Sequence, residues 1–168
     1  MNDGARLRIR RALTGDAGVL GELNAHVHQA HAAAMPDEYR PYDADAAAQY
    51  FADVVEEDCH PIWIAEVDNF PGAFLEAEVR SRPDNPFTTE LRVLYVHQLA
   101  VAERARRLGV GRSLMRVAED TAPKLGCTEV RLEHRDFNEG AHRFYEALGY
   151  RTYSVSMARR VRADPTAQ

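Results

Sequence analysis

The stretch Leu99-Ala-Val-Ala-Glu-Arg-Ala-Arg-Arg-Leu-Gly-Val-Gly-Arg-Ser-Leu-Met115 restricts the fold more than any other part of this 168-residue chain. An apolar strand runs into clustered arginines, a Gly-x-Gly turn follows, and an amphipathic helix begins. Small residues let a backbone approach a ligand closely, and the first turn of a helix carries amides with no acceptor inside the helix. That order predicts an anion site. From Glu103 to Arg116 five arginines oppose one glutamate, a local +4 in a chain of formal charge −5. A basic island in an acidic protein points to one bound polyanion rather than to bulk attraction for nucleic acid.

Two common phosphate loops are excluded. A P-loop requires Gly-x-x-x-x-Gly-Lys-Ser/Thr, and no such run exists. A dinucleotide fingerprint starting at Gly109 needs a third glycine at the position held by Leu114. It would also sit early in a βαβ unit, not after a long run of other elements. What remains is Arg106-x-x-Gly109-x-Gly111 behind Leu99-Ala100-Val101. It resembles the acetyl-coenzyme A pyrophosphate loop of the GCN5-related N-acetyltransferases (GNAT), Gln/Arg-x-x-Gly-x-Gly/Ala. Downstream, Asn138-Glu-Gly-Ala141-His-Arg-Phe-Tyr145-Glu-Ala-Leu-Gly149-Tyr150 resembles that family's Asn-x-x-Ala-x-x-x-Tyr-x-x-x-Gly-Phe/Tyr position for position. The two motifs cover residues 93–150.

Length and a hydrophobic fraction of 45% suit a single domain, 1–168, with one sizeable core. No apolar run approaches the length that spans a bilayer. The opening Met1-Asn-Asp-Gly-Ala-Arg6 lacks a signal-peptide layout, so a cytoplasmic location is expected, with Cys59 and Cys127 as free thiols. The tail after Arg160 is expected to fray.

Leu7–Leu13 alternates as a strand, and Thr14 with Asp16 opens a helix that runs to Ala34. Asp43 or Asp45 caps a second helix through Glu57. Residues 62–67 and 73–79 read as a hairpin with a somewhat long connection through Asp-Asn-Phe-Pro-Gly. Residues 81–89 are an exposed loop, and 92–101 a fourth strand. A helix from Gly109 to about Leu125 is bent near Pro123. A strand over 128–133, a helix over 139–148 and one or two closing strands over Tyr150–Arg160 complete the pattern. The order β-α-α-β-β-β-α-β-α-β is what the resemblance implies. Its fold is α/β (α+β), the GNAT fold: a mixed, strongly twisted sheet of six to seven strands with helices on both faces.

The resemblance implies a cosubstrate, acetyl-CoA, and a set of roles. Backbone groups of Leu99, Ala100 and Val101 would hold the pantetheine arm and polarise the thioester carbonyl. Arg106, Arg107, Leu108, Gly109, Val110, Gly111, Arg112 and Ser113 would wrap the pyrophosphate. Asn138 would reach the cofactor or cap its own helix. Tyr145 would protonate the departing thiolate, since a phenol near pKa 10 is close to a thiol in acidity. It could equally be a core aromatic, because Ala141, Phe144, Tyr145 and Leu148 share a helical face. Some family members carry a glutamate where Tyr95 stands here, so the base falls to His97 on the same strand face, as in the arylalkylamine acetyltransferases. Glu66, Glu76 and Glu78 are alternatives acting through water.

No metal is expected. His26, His28 and His31 lie on the first helix without a supporting acid or cysteine triad, Cys127 has no histidine and acid arranged around it, and Glu56-Glu57-Asp58 reads as a solvated helix end. The acceptor pocket would be built from residues 35–50, 80–90 and 150–157. Its acids (Asp37, Glu38, Asp43, Asp45) suit a cationic amine, and Tyr39, Tyr42 and Tyr50 could line a groove. The expected activity is N-acetylation of a small-molecule amine by direct attack in a ternary complex. The alternatives are a protein or peptide N-acetyltransferase and a non-catalytic acyl-CoA sensor. No nucleic-acid or membrane partner is expected, and a homodimer would be compatible with the family.

Overall fold

The computed structural model describes residues 6–159, which divide after Glu133 into two compact units. The first holds a five-stranded sheet in the order β1-β2-β3-β4-β5. Strands β1 (Leu7–Arg11), β2 (Ile62–Val67), β3 (Phe70–Arg82) and β4 (Leu91–Val101) are antiparallel neighbours, and β5 (Glu129–Leu132) pairs in parallel with β4. Parallel pairing needs a crossover, which α3 (Val110–Thr121) supplies.

Both faces of the sheet are covered. Side chains alternate across a strand. Ile62, Ile64, Phe74 and Ala100 therefore join Leu20 and Leu23 of α1 (Ala17–Ala34) and Phe51 and Val54 of α2 (Ala44–Val54) in one core. The intervening Trp63, Ala65, Ala73, Leu75 and Ala77 are also buried, on the face where α3 presents Val110, Leu114, Met115 and Ala118. Burial on both sides explains why Ile62–Ala65 of β2 and Ala73–Leu75 of β3 read as short continuous apolar runs. Asp43 caps α2, its Oδ1 accepting from the amides of Asp45 (3.1 Å) and Ala46 (3.0 Å). Pro123 opens the 3-10 turn Ala122–Leu125, where the sequence predicts a bend.

Three expectations are corrected. The β2–β3 connection is short: Asp68 and Asn69 take φ of 51° and 68°, the left-handed pair of a two-residue hairpin turn, and β3 begins at once with Phe70. Pro71 and Gly72 are absorbed by a bulge opposite Ala65/Glu66, and a side chain at Gly72 would meet the Ala105 Cβ at 2.9 Å. Helix α2 ends at Val54 rather than Glu57. The closing strands do not form over residues 150–159, so the described sheet has five strands rather than six or seven. The alternating Tyr153, Val155 and Met157 are 69%, 79% and 93% exposed. Without burial of that face, ladder hydrogen bonds only replace those to water. The tail after Arg160 lies outside the described residues.

The second unit begins at His134 and contains α4 (Glu139–Glu146). Asn138 caps it, its Oδ1 accepting from the Ala141 amide at 3.0 Å.

The start of α1 is tied to β1 and β2 by Arg10. Its guanidinium donates to both oxygens of Asp16 (2.7 and 2.8 Å) and to Glu66 (2.8 Å), while Asp16 also accepts from the Leu13 amide at 2.8 Å. The hydrogen bonds from Arg10 hold the Asp16 carboxyl below its ordinary range against the opposing effect of burial. A depressed folded-state pKa stabilises above the unfolded value and is lost as pH falls through the folded one. Asp16→Asn should therefore cost about 1–3 kcal/mol at pH 7, and the gap from the parent should close in acid. Urea denaturation at neutral and acidic pH measures both.

Candidate active site

A one-residue bulge organises the middle of the sheet. Glu76 of β3 pairs with Gln98 and Ala77 with Val96, which leaves His97 of β4 as the extra residue. The β4–β5 ladder stops at Val96↔Leu132, while β4 continues to Val101. Among the described residues no strand pairs with 97–101 on the β5 side. An open edge beside a bulge is a template for an extended ligand carrying amide groups. Leu99, Ala100 and Val101, the residues assigned to that role, lie along it.

Beyond Val101 the chain enters the loop that the sequence assigns to an anion. A short 3-10 turn spans Glu103–Ala105, and Arg106 Nε donates back to the Val101 carbonyl at 3.2 Å. Arg107 and Gly109 both take left-handed backbone, φ 63° and 75°. Gly109 stands immediately before α3, and Ser113 bonds back to its carbonyl through both amide (3.0 Å) and hydroxyl (3.2 Å). The amides of Val110, Gly111 and Arg112 precede that first turn's bond and head the helix dipole. Arg104, Arg106, Arg107 and Arg112 are exposed around them.

On the α1–α2 face, the bulge gathers a polar cluster. His97 Nε2 lies 2.9 Å from Glu78 Oε2, which also accepts from Arg80 Nε at 2.7 Å. Burial pushes the Glu78 carboxyl up, but the hydrogen bonds from Arg80 and His97 outweigh it and leave it below the ordinary range. Tyr95 packs edge-on to His97 at 5.1 Å and carries the Arg80 guanidinium 3.7 Å over its ring. The predicted common face of Tyr95 and His97 is therefore observed. Of the alternative acids, Glu66 is committed to Arg10, whereas Glu76 and Glu78 both belong to the cluster.

Glu76 is fully buried. Tyr50 of α2 donates to its Oε1 at 2.5 Å, and Oε2 has no hydrogen-bond partner. Burial, then this hydrogen bond, raise the Tyr50 pKa and keep the phenol protonated. His60 approaches from the other side, with Nε2 3.5 Å from Glu76 Oε1 and Nδ1 3.3 Å from Glu57 Oε2, and its ring stacks on His97 at 5.5 Å. His60 Nε2 is likewise buried and without a hydrogen-bond partner. A buried carboxylate and imidazole with open valences are costly in isolation and well placed to receive a cation that donates hydrogen bonds. Sequence reasoning missed His60. The local signal is its place between an acidic run and Pro61 at the entry of β2, where Glu57 lies 3.3 Å from its Nδ1.

Other candidates have structural uses. Tyr42 donates to the Gly21 carbonyl and Tyr39 packs on His28 and His31, so of the three groove tyrosines Tyr50 alone reaches the cluster. His28 faces the Arg40 carbonyl at 2.7 Å. Cys127 is buried, and burial raises its thiol pKa, the reverse of an acyl-carrying nucleophile; both cysteines are free.

Within the second unit, Tyr145 is surrounded by Phe144 (5.2 Å), Tyr150 (5.9 Å) and His134 (6.5 Å). Burial pushes its phenol up to about 12. It stays protonated at neutral pH but is a weaker donor than an unshifted tyrosine.

Comparison with known proteins places the chain in a family. The family model described as "Acetyltransferase (GNAT) family" matches residues 25–150. The chain belongs to that family, whose cosubstrate is acetyl-CoA. No curated protein matches. Among solved structures, a tetramutant of the BH1408 protein from Bacillus halodurans superposes with a TM-score of 0.86 at 24% identity, covering 92% of this chain and 99% of that one. The aminoglycoside N-acetyltransferase AAC(6')-Iy in complex with CoA gives 0.77 at 18% identity, with 97% and 99% covered. The aminoglycoside 6'-N-acetyltransferase AAC(6')-IG from Acinetobacter haemolyticus gives 0.71 at 22%, with 94% and 99% covered. These likenesses establish the GNAT fold. Among the described residues no helix is long and apolar enough to cross a membrane.

Tyr50→Phe should destabilise the chain by about 1–3 kcal/mol, because Glu76 then loses its one hydrogen-bond donor while remaining buried. The double variant Tyr50→Phe/Glu76→Leu should recover much of that loss. Denaturant melts of the two proteins test this.

Proposed function

We propose that this chain is a cytoplasmic N-acetyltransferase that moves the acetyl group of acetyl-CoA to a primary amine of a small molecule, by direct attack in a ternary complex. The observation that carries the proposal is the junction at His97. There, an open β4 edge leading into a helix-capped anion loop meets a buried acidic cluster with unfilled hydrogen bonds. The first half suits acetyl-CoA and the second a protonated amine.

Pyrophosphate oxygens would accept from the amides of Leu108 to Ser113, with Arg106, Arg107 and Arg112 adding charge. The pantetheine arm would pair with Leu99, Ala100 and Val101, and an amide near Leu99 would polarise the thioester carbonyl. The acceptor ammonium would donate to Glu76 Oε2 and His60 Nε2. His97, oriented by Glu78, would take its proton directly or through a water. The freed nitrogen would attack the carbonyl, a C–N bond would form and the C–S bond break, and the surplus proton shed by the nitrogen would pass through solvent to restore the Tyr145 phenol after its transfer to sulfur. Tyr145 would supply the proton to the departing thiolate, and Asn138 would help to hold the cofactor while capping α4. Aminoglycoside acetyltransferases among the structural neighbours, together with Glu57, Glu76 and Glu78, support acceptors that carry several amino groups, of the aminocyclitol kind.

Release of free CoA thiol from acetyl-CoA, followed against a panel of small amines and short peptides, tests the proposal. Acceptor-dependent release with small amines is expected; release only with peptides, or with no acceptor at all, would contradict it. Gly109→Val should weaken acetyl-CoA binding about tenfold or more, because a β-branched residue resists φ near +75°. Tyr145→Phe should leave that binding intact and lower turnover by about 10²-fold. Calorimetry and steady-state kinetics separate the two effects.

A further inference from the structure

The cluster at the bulge has a second chemistry. One donor atom each of His60, Glu78 and His97 lies within 4.8 Å of the other two. His97 Nε2 and Glu78 Oε2 are 2.9 Å apart, close to the separation of adjacent ligands around one ion with bonds of about 2.0–2.2 Å. His60 meets the usual outer-shell requirement. Its Nδ1 faces the Glu57 carboxylate at 3.3 Å, and a proton there leaves a lone pair on Nε2. That Nε2 is one of two buried side-chain atoms without a hydrogen-bond partner among the described residues; the other is Glu76 Oε2, on the floor of the same site. A fully buried carboxylate and an imidazole thus both aim unused lone pairs inward.

Charge and access agree. Among the described residues the fixed cation paired with the acids of this cluster is Arg80, which sits on the Glu78 oxygen at 2.7 Å and can remain there, while Glu57 and Glu76 approach His60. The side chains of His60, His97 and Glu78 are 12%, 26% and 30% exposed, so an ion reaches them from solvent. Two imidazoles and a carboxylate are borderline donors that favour zinc, cobalt, nickel or copper over magnesium or calcium. Closing the set around one ion requires the His60 ring to turn toward His97, against which it stacks at 14°. Of the α1 histidines, His28 faces the Arg40 carbonyl and His31 packs on Tyr39.

We propose that His60, Glu78 and His97, floored by Glu76, bind a divalent transition-metal ion of the zinc class, which shuts off acetyl transfer by occupying the place of the acceptor amine. The inhibitory half rests on the acetyltransferase reading; the binding half does not. The metal and the ammonium compete for the same lone pairs, and the metal also takes the imidazole assigned to proton removal.

The test uses the untagged full chain and CoCl2, read by the visible d–d bands of the bound ion, with ZnCl2 as competitor. One saturable equivalent, bleached by ZnCl2, is expected. His60→Asn and Glu78→Gln should each weaken it about tenfold or more. His134→Asn/His142→Asn, which alters the imidazole pair of the second unit, should not, and neither should Cys59→Ser. Acetyl-CoA binding by calorimetry shows that each variant is folded. In the thiol-release assay ZnCl2 should inhibit competitively with the amine. The absence of a saturable cobalt spectrum, or one that survives His60→Asn, would overturn the site; inhibition that excess amine cannot relieve would overturn its role. Cobalt binding without acetyl-CoA binding would instead sink the acetyltransferase reading and leave the metal site standing.

Discussion

The single extra residue at His97 is the constraint on which the site depends. A regular β3–β4 ladder would keep strict alternation, and β4 would carry no residue outside the pairing. With the bulge, Tyr95, His97 and Gln98 all turn toward the face that holds Glu76 and Glu78. The same defect occurs where β5 stops, one residue earlier at Val96. Bulges bend a strand and increase its local twist, so the edge of β4 and the end of β5 part where a ligand would enter. The polar face proposed for the substrate and the edge proposed for the cofactor meet at one backbone irregularity.

The surrounding elements keep that irregularity in place. Strands β2 and β3 are buried on both faces, and α1, α2 and α3 clamp the sheet from opposite sides. Tyr50 reaches from α2 into the sheet to Glu76, which makes the helix pair part of the polar cluster as well as of the apolar core. Arg10 joins the start of α1 to β1 and β2. Among the described residues, Arg10 at the start of α1 and Tyr50 within α2 tie the helix layer to the strand layer.

Much of this was legible in advance because it is local. Arg106-x-x-Gly109-x-Gly111 states its own backbone geometry, since glycine before a helix is suited to the left-handed conformation that Gly109 adopts. Asn138 and Asp43 announce their caps, and the apolar periods place α1, α3 and the strands within a few residues. His97 was legible by its register with Tyr95. What escaped the sequence is non-local. Glu76 is named there among the alternative acids, but its burial depends on Tyr50 and His60, which lie 26 and 16 positions away. Nothing in the neighbourhood of His60 forecasts its stacking on His97. The closing strands over Tyr150–Arg160 were expected as part of the family's element order, but over residues 150–159 no strand forms. Asp68-Asn69 could have been read as a two-residue turn; the Pro-Gly that follows drew the reading toward a longer loop.

The central claim is that acetyl-CoA lies along β4 from the bulge to the start of α3. Amide-resolved NMR during titration with acetyl-CoA tests it most directly. The account predicts the largest shifts at the amides of residues 97–101 and 107–112, with smaller ones over β1 and the far end of β2. Saturable binding whose shifts fall elsewhere and leave Leu99, Val101, Gly109 and Gly111 unmoved would contradict it.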